Sequence, residues 1–232
     1  GAGVNIAIVD DGLEYTHPDL DANARTALDI DINAGDADPA PGPGEGHGTT
    51  VGGIAGADGD DATGTAGVAF AAGLVGVRLI SAPATDAQEA EAMNHRADVN
   101  VDAERVHVSN NSWGPADDAV ALAGPGPLMR AALANATTVG RGGLGTVFCW
   151  SAGNGGDLGD DSAYDGFSGN RYVIGVAACG PSGMQASYSE SGCNVMITAP
   201  GGEYGGNGMV APDRVGAAGE VSGSYSTSSD DF

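Results

Sequence analysis

With 232 residues, 41% of them hydrophobic, and a mean hydropathy of −0.08, the chain can bury one substantial core, and a single domain over 1–232 is expected. Acids outnumber bases 31 to 8 and every base is arginine, so a net charge of −23 argues against a phosphate-backbone binder, which needs clustered cations. No run reaches membrane-spanning length, and no leader-type segment is recognisable.

In chain order, short apolar, β-branched runs alternate with helical stretches. "VNIAIV" (4–9), "GLVGVRLI" (73–80), "RVHVSN" (105–110), "GTVFCW" (145–150), "YVIGVAA" (172–178) and "NVMITAP" (194–200) read as strands. Their near-continuous hydrophobicity is what strands covered on both faces require. Between them, "HGTTVGGIAGA" (47–57) reads as a Gly-rich helix and "GPLMRAALANATTVG" (126–140) as another. "TDAQEAEAMNHR" (85–96) is a third, with Thr85 and Gln88 at capping-box spacing. "DADPAPGPGEG" (36–46) is a loop by its proline and glycine. The alternation predicts an α/β fold: a doubly wound, mostly parallel sheet with helices on both faces.

Such folds gather ligands beyond the carboxyl ends of their strands. There the sequence places "DDG" after the first run, "NSWGPADD" after 105–110 and "SAGNGG" after 145–150, a convergence of acids, amides and glycines on one edge. Nucleotide binding is a poor fit, because no G-x-G-x-x-G turn links a strand to a helix. Three cysteines define no disulfide framework, and Cys149 and Cys179 are expected as small core residues. The acids read in two compatible ways, as solubility and as binding of cations or basic side chains.

Four stretches, "AIVDDGLEYTHPDL" (7–20), "GHGTTVGGIAG" (46–56), "SWGPADD" (112–118) and "SAGNGG" (151–156), resemble the subtilisin-like serine proteases. The last two, with "GRGGLG" (140–145), look like the kexin and furin branch. The resemblance runs almost end to end. It implies a subtilisin-like fold, a calcium-stabilised serine endopeptidase, and a Ser-His-Asp acyl-enzyme mechanism. By the same likeness Asp10 orients the imidazole, His47 is the general base and Asn154 the oxyanion donor. Ser112, Trp113 and Gly114 would line the substrate cleft, and Asp117 and Asp165 the pocket for an arginine beside the cut bond. Asp11 matches the acid of the adjoining subsite, and Asp86 and Glu89 match acids further upstream. Three calcium sets are implied: Asp19 with Asp61; Asp117, Asp160 and Glu190; and Asp31, Asp36 and Asp38. The last is not an EF-hand, because Ala34 and Ala40 stand where its glycine and glutamate belong.

Departures from the branch are equally plain. Ala123 stands where a further acid is usual, Phe167 where tyrosine is, and Gly44 where an acid precedes the histidine. Preference for a single arginine therefore follows more readily than a strict multibasic requirement. The family's nucleophile belongs to a "GTS" helix start, which is not found here. Ser222, Ser224, Ser226, Ser228 and Ser229 sit in a polar stretch with no small-residue helix behind them. The expectation is a catalytic domain that stops short of its nucleophile and is inactive alone. Its partners would be proteins or peptides carrying basic residues, not nucleic acid, with the chain a monomer. The resemblance implies an extracellular or cell-envelope location. The alternative is a non-catalytic protease-like module that binds basic peptides or calcium.

Overall fold

The computed structural model describes residues 1–120, 122–204, 208–219 and 223–229. Seven parallel strands form the main sheet in the order β2-β3-β1-β4-β5-β6-β7. They are β1 (Asn5–Asp10), β2 (Ile30–Asp31), β3 (Gly73–Arg78), β4 (Val108–Asn111), β5 (Val147–Ser151), β6 (Val173–Cys179) and β7 (Val195–Pro200). All six expected strands are present. Two begin two or three residues later than expected: residues 102–104 form a 3-10 turn before β4, and Gly145 takes a left-handed φ of 85° before β5. The two-residue β2 was too short to leave a hydrophobic signature.

Helices lie on both faces because alternate strand residues supply two cores. Ala7, Val9, Val75 and Val77 pack with Met93 of α2 (Asp86–Asn94) and Leu133 of α3 (Pro127–Gly143). On the opposite face, Ile8 and Leu74 meet Val51 of α1 (His47–Gly56). The Thr85–Gln88 capping box opens α2 as expected. Helix α3 starts with Pro127 at its first turn, while Gly140, Arg141 and Gly142 leave helical geometry at its end.

A β8 (Met209–Pro212) and β9 (Tyr225–Ser229) pair forms a separate antiparallel ribbon that sequence patterning did not reveal. Strand β8 packs on α1, where a Cβ on Gly53 would lie 2.2 Å from Pro212 Cδ, so glycine is required there. His17 holds the entry to β9: its Nε2 hydrogen-bonds the Ser224 carbonyl at 2.9 Å, and its ring meets Tyr225 edge-on. The two cysteines expected in the core, Cys149 and Cys179, are only half-buried, and Cys193 is exposed. Cys149 lies on β5 and Cys179 ends β6.

Candidate active site

Asp10 is the last residue of β1 and is fully buried. His47 is the first residue of α1, with its side chain 28% exposed. Their contact is a 2.8 Å hydrogen bond between His47 Nδ1 and Asp10 Oδ1. A carboxylate only accepts, so Nδ1 carries the proton and Nε2 is left as the basic nitrogen. Burial pushes the Asp10 carboxyl up from its ordinary range, the His47 hydrogen bond pulls it back down, and Asp11 adds upward pressure. The Asp11 amide donates to the same Oδ1 at 2.8 Å, while Oδ2 is buried with no hydrogen-bond partner among the described residues.

The helix that delivers His47 is held from outside. Its own N-cap, Gly46, makes no side-chain cap. Instead the Asp11 carboxylate accepts the amides of Gly46 (2.9 Å), His47 (3.2 Å) and Gly48 (2.8 Å), which satisfies unpaired N–H groups at the positive end of the helix. Gly48 is required for this approach, since a Cβ there would lie 2.2 Å from the Gly12 carbonyl and 2.7 Å from Asp10 Cβ.

Strand β4 separates β1 from β5, and all three are parallel, so their carboxyl ends share one edge. Asn154 follows β5 there and is exposed. Its backbone amide donates to Asp117 Oδ2 at 3.1 Å, and the next amide, Gly155, donates to Glu190 Oε1 at 3.1 Å. Asp117, Asp160 and Glu190 each bring one carboxylate oxygen within 4.8 Å of the others. Burial, opposed by the Gly155 bond and reinforced by Asp160 and Asp117, pushes Glu190 up to about 7. These acids support the loop that carries Asn154 and have the chemistry of a hard-cation site.

Asp165 lies beside this cluster. It accepts from the Phe167 amide (2.8 Å) and the Ser168 amide (3.2 Å), and burial, with Asp117 nearby, pushes its carboxyl up. A Cβ on Gly114 would lie 3.8 Å from Asp165 Oδ2, so the "SWG" segment borders the same recess. Above it, Trp113, Phe167 and Glu89 line a cleft, and burial also pushes Glu89 up. Trp150 Nε1 donates to the Trp113 carbonyl at 2.5 Å, which fixes the cleft wall.

Other expected residues are engaged elsewhere. Asp86 gives both oxygens to the first turn of α3, accepting from Leu128 (3.0 Å) and Met129 (2.8 Å). Asp31 ion-pairs with Arg78 at 2.7 Å and accepts from the Ala34 amide. Asp36 and Asp38 accept from the nearby amides of Asp38 and Ala40. No group of three carboxylates forms in this loop among the described residues. Asp19 is fully buried; its Oδ2 accepts from the Thr65 amide and hydroxyl, both at 2.9 Å, and its Oδ1 has no hydrogen-bond partner among the described residues. Asp19 and Asp61 both act on the Tyr225 phenol, which burial pushes up first and these two acids push further. Ser222 lies outside the described residues, Ser224 immediately precedes β9, and Ser226 lies within it.

The profile described as the subtilase family, Peptidase_S8, matches residues 1–231. The chain is 36% identical over 202 residues to proprotein convertase subtilisin/kexin type 5 of Rattus norvegicus, covering 85% of this chain and 11% of that protein. It is 35% identical to the dibasic-processing endoprotease of Schizosaccharomyces pombe, covering 91% and 32%. Among solved structures, the Aeromonas sobria serine protease in complex with its chaperone gives a TM-score of 0.79 at 29% identity, over 93% of this chain and 39% of that one. A protease from Pseudoalteromonas arctica gives 0.79 at 26%, over 98% and 72%. The chain therefore spans about a tenth to a third of the length of these curated relatives.

Proposed function

Because the chain belongs to the subtilase family of peptidases, we propose that its Asp10–His47 pair is the acid–base half of a serine endopeptidase that cuts after arginine. The 2.8 Å bond from a fully buried carboxylate to the Nδ1 of a half-exposed imidazole is the observation that carries this reading. With Nδ1 committed to Asp10, Nε2 takes the proton of a serine hydroxyl as that oxygen attacks the peptide carbonyl. The same nitrogen then returns the proton to the leaving amine. The side-chain NH2 of Asn154 donates to the oxygen that becomes anionic in the tetrahedral intermediate.

The arginine beside the cut bond is assigned to Asp165 and Asp117, next to Ser112, Trp113 and Gly114. Burial and the neighbouring Asp117 raise the cost of ionising Asp165, and one guanidinium relieves it. Upstream substrate positions are assigned to Glu89, because Asp86 is occupied as a helix cap. Asp11 serves His47 through α1 in preference to substrate, which favours recognition of a single arginine over a pair.

The nucleophile is proposed to be none of Ser224, Ser226, Ser228 or Ser229, since the last three lie in the extended strand β9, Ser224 lies just before it, and no "GTS" helix start is found there. The hydroxyl would come from sequence after Phe232, and residues 1–232 alone would bind without turnover. A calcium ion fits Asp117, Asp160 and Glu190, which are closely grouped with Glu190 buried. A second fits Asp19, whose buried Oδ1 lacks a partner among the described residues, together with Asp61. An ion at the first site would supply positive charge that favours ionised Glu190 while Asp117 and Glu190 support the Asn154 loop. Asp31 is committed to Arg78, so the third set expected from the sequence is a weaker cation site. Protein substrates and a secreted location accord with this reading.

The test compares peptides that differ only in arginine or alanine before the scissile bond, using the protein extended through its nucleophile. Cleavage confined to the arginine peptide and lost in His47→Ala supports the proposal. Equal cleavage of both peptides contradicts the specificity, and cleavage that survives His47→Ala contradicts the mechanism.

A further inference from the structure

Arg78 ends β3 in register with Asp10 on β1. Its side chain, 17% exposed, reaches three segments at once. Nε donates to the Asp11 carbonyl at 2.9 Å, Nη1 to Asp31 Oδ2 at 2.7 Å and Nη2 to Glu45 Oε2 at 2.8 Å. Asp11 is the residue whose amide caps Asp10 and whose carboxylate grips the start of α1. Glu45 lies two residues before His47, and its Oε2 also accepts from the Gly42 amide at 2.5 Å. One guanidinium thus ties the strand end that presents Asp10 to the loop that presents His47.

We propose that Arg78 is a positioning residue that fixes the His47 imidazole against Asp10. The inference rests on the proteolytic reading for the importance of that contact, although the contact itself is present in this chain. A planar guanidinium holds its donors in fixed relative directions, so three acceptors on separate segments constrain one another through it. It also offsets Asp31 and Glu45, which would otherwise add negative charge beside the Asp10–Asp11 turn. A lysine carries the charge on a single nitrogen and cannot span the same three acceptors.

Proton NMR of this chain reads the effect directly, through the low-field Nδ1–H resonance that is lost in His47→Ala. Arg78→Gln and Arg78→Lys are each expected to speed exchange of that proton with water about tenfold or more, the scale of losing one charge-assisted hydrogen bond. Arg105→Gln is the matched control, because Arg105 makes a similar three-way contact with the Val99 carbonyl, Asp102 and the Asn100 carbonyl. Its His47 proton should exchange at the wild-type rate. Should Arg78→Gln not fold, Glu45→Gln, which weakens one arm only, is expected to speed exchange in the same direction.

Unchanged exchange in the Arg78 or Glu45 variants overturns the proposal. So does full rescue by lysine, which would leave charge alone as the role, or equal acceleration in Arg105→Gln, which would mean general loosening. In each of those cases the Asp10–His47 pair stands. Failure to find a His47 Nδ1–H resonance in the wild type instead removes the pair, and the proteolytic reading with it.

Discussion

Asp11→Ala separates two roles for one acid. The Asp11 carboxylate accepts three amides from the first turn of α1, which has no side-chain cap of its own. Loss of one capping side chain costs about 0.5–2 kcal/mol, and a carboxylate at a helix N-terminus adds about 0.3–1 kcal/mol. Water can reach part of this turn, so about 3 kcal/mol is a reasonable total for three amides. In a chain of this size each kcal/mol moves the melting temperature by about 2–4 °C, giving an expected fall of about 6–12 °C. Thermal unfolding followed by circular dichroism, with and without an arginine peptide, measures it. A variant that melts within a degree of wild type yet no longer binds the peptide would refute the reasoning and return Asp11 to substrate recognition.

The other acids give independent outcomes. Asp86→Ala removes the side chain that accepts two amides of α3, so a loss of about 1–2 kcal/mol is expected in denaturant unfolding, with little change in arginine-peptide binding. Calcium at a hundred times its dissociation constant should stabilise the chain by about 2.7 kcal/mol, and the gain should shrink in Glu190→Gln and in Asp19→Asn. Melting curves with calcium and with chelator read this; indifference to both would contradict the cation assignment. Asp29 is buried with Oδ2 unpartnered among the described residues, and burial raises its carboxyl from 3.8 to about 7, with the Gly76 amide opposing and Asp38 adding. The folded state therefore keeps a proton that the unfolded chain releases, so this group's contribution declines as pH rises from about 4 to about 7. Asp29→Asn should flatten that decline in chelator, where Glu190, also raised to about 7, still contributes in the same direction.

The sheet was legible because buried parallel strands must be apolar along their whole length, as "VNIAIV" and "YVIGVAA" are. Helix α2 declared itself through Thr85 and Gln88, whose side chains complete a local circuit that needs no tertiary contact. Short motifs marked Asp10 at the end of β1 and His47 at the start of α1, and these two side chains meet in the fold. The roles of Asp11 and Asp86 were not legible, because an acid that caps a distant helix has the same local sequence as one that awaits a substrate. Arg78 was silent for a related reason: its three acceptors come from positions 11, 31 and 45, and only the folded register of β1 and β3 brings them together. The β8–β9 ribbon escaped because "MVAP" and "YSTSS" carry no clear hydrophobic alternation, and docking on α1 and His17 supplies what the pattern lacks.

The most direct measurement is the hydrolysis rate of one arginine peptide by the protein extended through its nucleophile, compared with the same protein carrying His47→Ala. The account predicts a fall of about 10⁴–10⁶-fold in kcat with the fold intact, as expected when the base of such a site is removed. A variant that turns over within about tenfold of wild type, a difference of only about 1.4 kcal/mol in the barrier, would show that Asp10 and His47 are not the acid–base pair.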